Sequence, residues 1–490
     1  MNKLTQKLLA GLLLVAMLVT ASASCGKKPN ESDTSATTTT APIAEEQTTT
    51  TPETEPPTPF EALPKTSYGG AKFNILLPSE HSYEFAEEVN GEIVNDAIYE
   101  RDSLIESSYE VDLNYIAESG QWATRDTFTA LVRNSVLAQD GNYDLINGMN
   151  VIMMPTTLEG LYVNLAETEN IRFDDPWWAA NLYDTLNIAG KLYGVTGSSL
   201  LSVYKTAYVM YANTNLISEY KLEDPAELVL SGKWTVDKLL EMIANTSRDL
   251  DNNAVMNEND FYGYVTQDVA QRGFQTSMNI RLVEQDDDGK MKFLGATEKY
   301  LTAVDKLNTF FGNAANYTMK NTTDIFMNDR AIFLNFTIDR IELMQDMTSD
   351  FVLLPQPKYD EAQENYYVQM ATGAGMFYIP NTVPNLDMTV DILNAHGALS
   401  YEKVVPAYYE NALKYKYTRV ENNVAVLDII NNSITMDVSF AFASSTGDIN
   451  TMLYRNTAGG LPIASVITAE AIAVQKKMDI LYKAYQELEQ

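Results

Sequence analysis

The stretch Gly190–Leu216, GKLYGVTGSSLLSVYKTAYVMYANTNL, decides how the 490-residue chain is organised. It opens on a turn at Gly190-Lys191, runs through the apolar piece Leu192 to Val195, and reaches Gly197 followed by Ser198 and Ser199. From Val203 to Ala212 it is rich in Val, Tyr and Met and free of Gly and Pro, the composition of a buried strand. A mid-chain strand entered through a Gly-Ser hinge, with new helix–strand units after it, carries the chain from one α/β lobe to another.

Upstream, Ala71 to Leu77 (AKFNILL) reads as the first strand of the folded part. It ends at Pro78-Ser79-Glu80-His81, a loop at a strand's carboxyl end, where open α/β sheets place ligands. Glu92 to Ser107 is an amphipathic helix with Ile93, Ala97, Ile98, Leu104 and Ile105 on its inner face. Val111 to Ile116 is a second strand, Trp122 to Gln139 a helix, and Tyr143 to Gly148 a third strand. This β-α-β-α-β alternation implies a parallel sheet.

Downstream, Thr235 caps a helix reaching about Asn245, with Trp234 before it as a staple onto its lobe. Asp286-Asp287-Asp288-Gly289 reads as a hairpin turn between two short apolar runs. Phe326 to Phe336 contains a strand, as does Phe351 to Pro357, and helices follow from Leu386 to Leu413 and from Ala469 to Leu488.

Several of these pieces carry a resemblance. The order GKLYGV…YVMYANTNL, the text NGEIVNDAIYERDSLIESSYEVDLNYI, Trp234 before a capped helix, FVLLPQP and ATGAGMFYIP resemble bacterial extracellular solute-binding proteins of the sugar type, the receptors of ABC importers, and in particular clostridial lipoprotein members. The resemblance spans residues 68–490. It implies a two-lobed, periplasmic-binding-protein-like (type II) fold with an interlobe cleft and hinge crossovers. Residues 67–203 and 372–432 are expected in lobe I, and 204–371 and 433–490 in lobe II. It implies a receptor and not an enzyme, with a small solute, most readily a mono- or oligosaccharide, handed to ABC permease subunits.

The resemblance also points to contacts. Glu80 and His81 stand after the first strand, and Asn150 follows the third, whose loop contributes aromatic and polar contacts in sugar-type members. Asn335, Phe336 and Asp339 follow a strand that leads to a pocket loop in the family, although Arg330 replaces the usual Gly there. Tyr378 lies in the returning crossover, and Tyr454 and Arg455 in the last portion are within reach of the cleft. Trp177-Trp178 has two readings: flat faces for sugar C–H surfaces, or packing between the lobes.

Asp249, Asp251, Asn253, Asn257 and Asp260 occupy the first, third, fifth, ninth and twelfth positions of a calcium loop. Ala254 stands where the sharp turn wants Gly, and Asp260 where a bidentate Glu is usual, so the loop is degenerate, and its alternative is a polar turn. No cofactor is required; Ca²⁺ is the one ion the pattern admits.

At the start, Lys3 and Lys7 precede an apolar stretch, Leu8 to Val19, too short to span a bilayer and suited to a signal peptide over residues 1–24. The only cysteine, Cys25, comes directly afterwards and resembles the acylated residue of a bacterial lipoprotein, although Ser22 departs from that pattern. Residues 25–66 are rich in Thr, Pro and Glu and read as a disordered tether. Together these place the protein on the extracellular face of the cell membrane, held there by lipid.

Composition limits the alternatives. A net charge of −32 argues against a phosphate-binding face and so against nucleic acid as a partner. One cysteine excludes internal disulfides, and two histidines leave little for a zinc site or a catalytic triad. A glycoside-active enzyme would need two carboxylates at a set separation, and no motif selects a pair among 66 acidic residues. The tandem tyrosines Tyr366-Tyr367 and Tyr408-Tyr409 leave a ferric-ion receptor open, and a surface glycan-binding lipoprotein not coupled to transport would share the signal and tether.

Overall fold

The computed structural model describes residues 56–85, 88–414, 421–458 and 463–488. The expected signal peptide, Cys25 and most of the expected tether lie outside the described residues. Residues 57–490 form one compact unit.

The chain lays down β1 (Ala71–Pro78), β2 (Val111–Glu118) and β3 (Leu145–Met149). It continues with β4 (Tyr208–Asn213), β5 (Tyr262–Thr266), the hairpin β6 (Val283–Gln285) and β7 (Met291–Phe293), β8 (Tyr317–Thr318), β9 (Ala331–Thr337) and β10 (Phe351–Pro355). Then come β11 (Val368–Gln369), β12 (Gly375–Tyr378) and β13 (Ile434–Thr435). Two main sheets result, with strand orders β12-β3-β1-β2 and β10-β4-β9-β5-β8. β1 is parallel to β2 and β3, with Leu76 opposite both Ile116 and Ile146, as the β-α-β alternation requires. β12 returns from the second half to pair antiparallel with β3. The fold is therefore α/β with two sheet-based lobes, and its buried apolar side chains are continuous through the crossovers.

Four local expectations are corrected. Residues 57–66, expected to belong to the tether, lie on the folded unit: Phe60 is buried, its amide donates to Glu402 Oε1 at 2.6 Å, and the Tyr109 hydroxyl donates to the Pro64 carbonyl. Burying one Phe is worth about 2 kcal/mol, enough to hold a short segment down. The expected strand from Val203 starts later, because Leu201–Lys205 is a helical turn whose first amides are claimed by a carboxylate described below.

Helix Glu421–Asn432, expected in the first lobe, packs against β10 of the second sheet. The last helix, Ile463–Glu487, packs on β7, yet the hydroxyls of Tyr485 and Thr157 are 2.7 Å apart and Lys191 Nζ donates to the Leu488 carbonyl. It therefore ties the second lobe to residues that precede the first crossover. The β6–β7 hairpin makes a similar link, since the Ala189 amide donates to the Asp288 carbonyl at 2.8 Å. Gly289 sits there at φ 73°, where an added Cβ would lie 2.2 Å from the Asn187 carbonyl oxygen, so only glycine fits.

Candidate cleft between the two sheets

Because β1, β2 and β3 run parallel, their carboxyl ends share one edge and present residues 79–85, 119–124 and 150–153. In the second sheet β5 and β9 are parallel, with Thr266 opposite Asn335, and present residues 267–273 and 338–343. The two edges meet. Lys205 Nζ lies 4.8 Å from the centre of the Tyr83 ring and pairs with Glu342. Burial raises the Tyr83 phenol above its ordinary range, with Glu84, Asp339 and Glu342 adding to the rise. A tyrosine of the first edge thus feels carboxylates of the second.

On the first edge Glu80 accepts from the Gly120 amide at 3.0 Å and from Ser119 Oγ at 3.1 Å. Partial burial works against its charge, but these donors prevail and hold the carboxyl below its usual range. This clasp joins the loops after β1 and β2 and positions Trp122, which stands 59% exposed with the Arg125 guanidinium 4.4 Å from its ring centre. His81 is buried beside the Gly373 backbone, and burial pushes its imidazole down to about 4. Its Nδ1 has no partner among the described residues. Asn150 is fully buried, with Nδ2 3.3 Å from Met436 Sδ and Oδ1 unpartnered among the described residues.

On the second edge Arg272 pairs with Asp268 at 2.7 Å and Arg340 lies 3.5 Å from Asp339. The buried Nε of each guanidinium makes no hydrogen bond among the described residues. The Tyr454 phenol is raised by burial and senses both Asp268 and Arg272, so the last portion does reach this edge. Chemically, the facing edges offer one exposed indole and two Asp–Arg pairs that both donate and accept. Such a set suits an uncharged, hydroxyl-rich solute.

The remaining expected contacts sit elsewhere. Asn335 is buried inside β9, donating to the Tyr264 hydroxyl at 2.9 Å and accepting from Gln356 Nε2 at 2.8 Å, so its amide is spent on the sheet. Phe336 is buried under the Arg340 guanidinium, 4.4 Å away. Asp339 is at the edge but accepts from its neighbour Thr337. Tyr378 lies in the core with its ring against Tyr162 and Gly194. Arg455 pairs with Glu470 of the last helix at 3.4 Å. Trp177 and Trp178 are buried and line a separate cavity.

No family model matches the chain, and no curated protein matches it by sequence. Solved structures do match. A cyclo/maltodextrin-binding protein complexed with maltotetraose superposes with a TM-score of 0.54 at 14% identity, covering 86% of this chain and 99% of its own. An ABC substrate-binding protein of Listeria monocytogenes in complex with cycloalternan gives 0.53 at 11% identity, covering 84% and 99%. An ABC transporter solute-binding protein of Thermotoga lettingae bound with α-D-tagatose gives 0.52 at 15% identity, covering 84% and 100%. This is a solute-binding-protein fold. In that fold the sequence located Glu80, His81, Asn150 and Asp339 at the facing edges but passed over Trp122, Arg272 and Arg340. The missed signal was positional: each follows the carboxyl end of a strand (β2, β5 and β9).

The solute-binding-protein fold carries the calcium-like loop outside both edges. The carboxylates of Asp249, Asp251 and Asp260 place oxygens within 4.8 Å of one another. Ala254 adopts φ 63°, so the sixth position makes the sharp turn without glycine. Asp249 accepts from the Asn252 and Ala254 amides and Asp260 from those of Leu250 and Asn257. Asn253 and Asn257 each accept from an amide two residues on. The loop is thus pre-shaped, and its oxygens already serve its own backbone.

Proposed function

We propose that this protein captures a carbohydrate between its two lobes and delivers it to an ABC importer, working at the extracellular face of the membrane with Cys25 as its lipid anchor. The observation that carries this reading is the meeting of the two carboxyl-terminal edges at Tyr83, Lys205 and Glu342, with Trp122 exposed on the first edge and Asp268–Arg272 and Asp339–Arg340 on the second. Structural neighbours solved with cycloalternan, tagatose and maltotetraose support a sugar as the solute. On the second edge the charges are paired as Asp268–Arg272 and Asp339–Arg340, which favours an uncharged ligand over an ionic one. Binding is preferred over hydrolysis because these carboxylates are committed to arginines and backbone amides, leaving none positioned as an acid–base pair.

A thermal-shift series against mono- and oligosaccharides tests the reading. A ligand held only by the folded state adds roughly 2.7 kcal/mol at a hundredfold excess over its Kd, a readable rise in Tm. A library of neutral sugars that leaves Tm unchanged overturns it.

Ca²⁺ at the Asp249–Asp260 loop belongs to the same proposal as a structural ion. The support is the shared reach of its three carboxylates and the left-handed turn at Ala254. Replacing Ala254 with Gly removes a left-handed strain of about 1 kcal/mol that the loop carries with or without the ion, so it is expected to leave Ca²⁺ affinity unchanged. Calorimetry with CaCl₂ that detects no heat in either form removes the ion from the account.

A further inference from the structure

Away from the facing edges, a cavity of about 830 Å³ opens beside the hinge helix Leu201–Lys205. None of its lining residues belongs to the edge loops described above. Its floor holds Trp177 and Trp178, which are 2% and 6% exposed, and neither indole Nε1 has a hydrogen-bond partner among the described residues. A buried indole N–H without an acceptor costs on the order of 1–3 kcal/mol, and here the cost is incurred twice in adjacent residues. Gly397 makes room for the first ring, since an added Cβ would lie 2.3 Å from Trp177 Cδ1.

The walls complement that floor. Tyr401 is 43% exposed at the opening, and the Tyr204 hydroxyl is fixed 3.0 Å from Ser198 Oγ. From the opposite side helix Glu421–Asn432 contributes the exposed carboxylate of Asp428 and the amide of Asn431. Among the described residues no lysine or arginine lines the space. Aromatic faces with carboxylate and amide groups at the rim are the combination that takes a neutral polyhydroxylated ring: C–H surface on the aromatics, hydroxyls on Asp428 and Asn431.

We infer that this cavity is a second carbohydrate site, distinct from the one between the sheet edges. Its volume accommodates a mono- or disaccharide. One wall, Tyr401–Tyr409, belongs to the helices packed on Ile93–Tyr109 of the first lobe, and the other packs on β10 of the second. A bound ring therefore touches both halves, and any difference in its contacts between lobe arrangements shifts their balance.

The test labels the whole protein with 5-fluorotryptophan, which gives one fluorine signal for each of its four tryptophans. Glucose, galactose and maltotriose are titrated against the unmodified protein and against Trp122→Ala. The inference expects one of these sugars to shift the Trp177 and Trp178 signals saturably in both proteins. Asp428→Ala or Asn431→Ala, both outside the core, should weaken that response about tenfold with Tm unchanged. Signals at Trp177 and Trp178 that stay fixed with all three sugars overturn the inference, as do shifts that survive both rim substitutions unaltered. A response of Trp122 alone would support the cleft reading and overturn this one, and a response of Trp177 and Trp178 alone would do the reverse.

Discussion

Glu84 accepts from the Leu201 amide at 2.7 Å and from the Ser202 amide at 2.9 Å, binding the loop after β1 to the helical turn that opens the first crossover. The carboxyl is fully buried, and burial pushes it above its usual range against the pull of those amides and of Arg101. Glu84→Ala leaves two buried N–H groups without an acceptor, a loss of roughly 2–4 kcal/mol. Glu84→Gln keeps one acceptor oxygen and is expected to lose about half of that. Urea unfolding of the two variants checks the order; equal stability for both would mean that the clasp carries no energy.

His81 supplies one part of the pH dependence, and His396, also held neutral by burial, another. Its folded value of about 4 lies below the ordinary 6.5 because burial disfavours the cation. Between those values the unfolded chain takes up a proton that the folded chain refuses. Stability therefore falls as pH drops from 6.5 to 4, by about 3 kcal/mol over the window. His81→Gln should make this limb of the stability–pH curve shallower by the His81 share while leaving stability near pH 7.5 little changed. An unaltered limb in the variant assigns the acid sensitivity to another group.

Trp122 is exposed and its ring meets the Arg125 guanidinium at the surface, so Trp122→Ala should leave stability within about 0.5 kcal/mol. Affinity for the sugar identified by thermal shift should fall about tenfold, the worth of one stacked ring. Titration calorimetry separates the two effects. Unchanged affinity would remove the indole from the binding surface.

Asn335 is expected to behave in the opposite way. Asn335→Leu breaks the Tyr264–Asn335–Gln356 chain inside the second sheet and takes one hydrogen bond from each of two buried groups, of which Gln356 keeps the Ala270 carbonyl, costing roughly 2–3 kcal/mol. Sugar affinity measured on the folded fraction should stay as it was. A variant with intact stability and lost affinity would return Asn335 to the list of contacts.

The alternation of strand and amphipathic helix, the hinge stretch after Gly190 and the two returns of the chain are legible in the sequence alone, because strand and helix periodicity are local properties of side-chain order. So was the edge position of Glu80, His81 and Asn150, since ligand loops follow the carboxyl ends of parallel strands. Tertiary structure decided what each polar group had left to offer. Asn335 and Tyr378 were spent on the interior, Arg455 on Glu470, and Trp177 and Trp178 on a cavity of their own, whereas Trp122, Arg272 and Arg340 kept a free face. The physical reason is that a hydrogen bond or a buried ring is settled by neighbours hundreds of residues away, and nothing in a residue's local sequence records whether such a neighbour arrives.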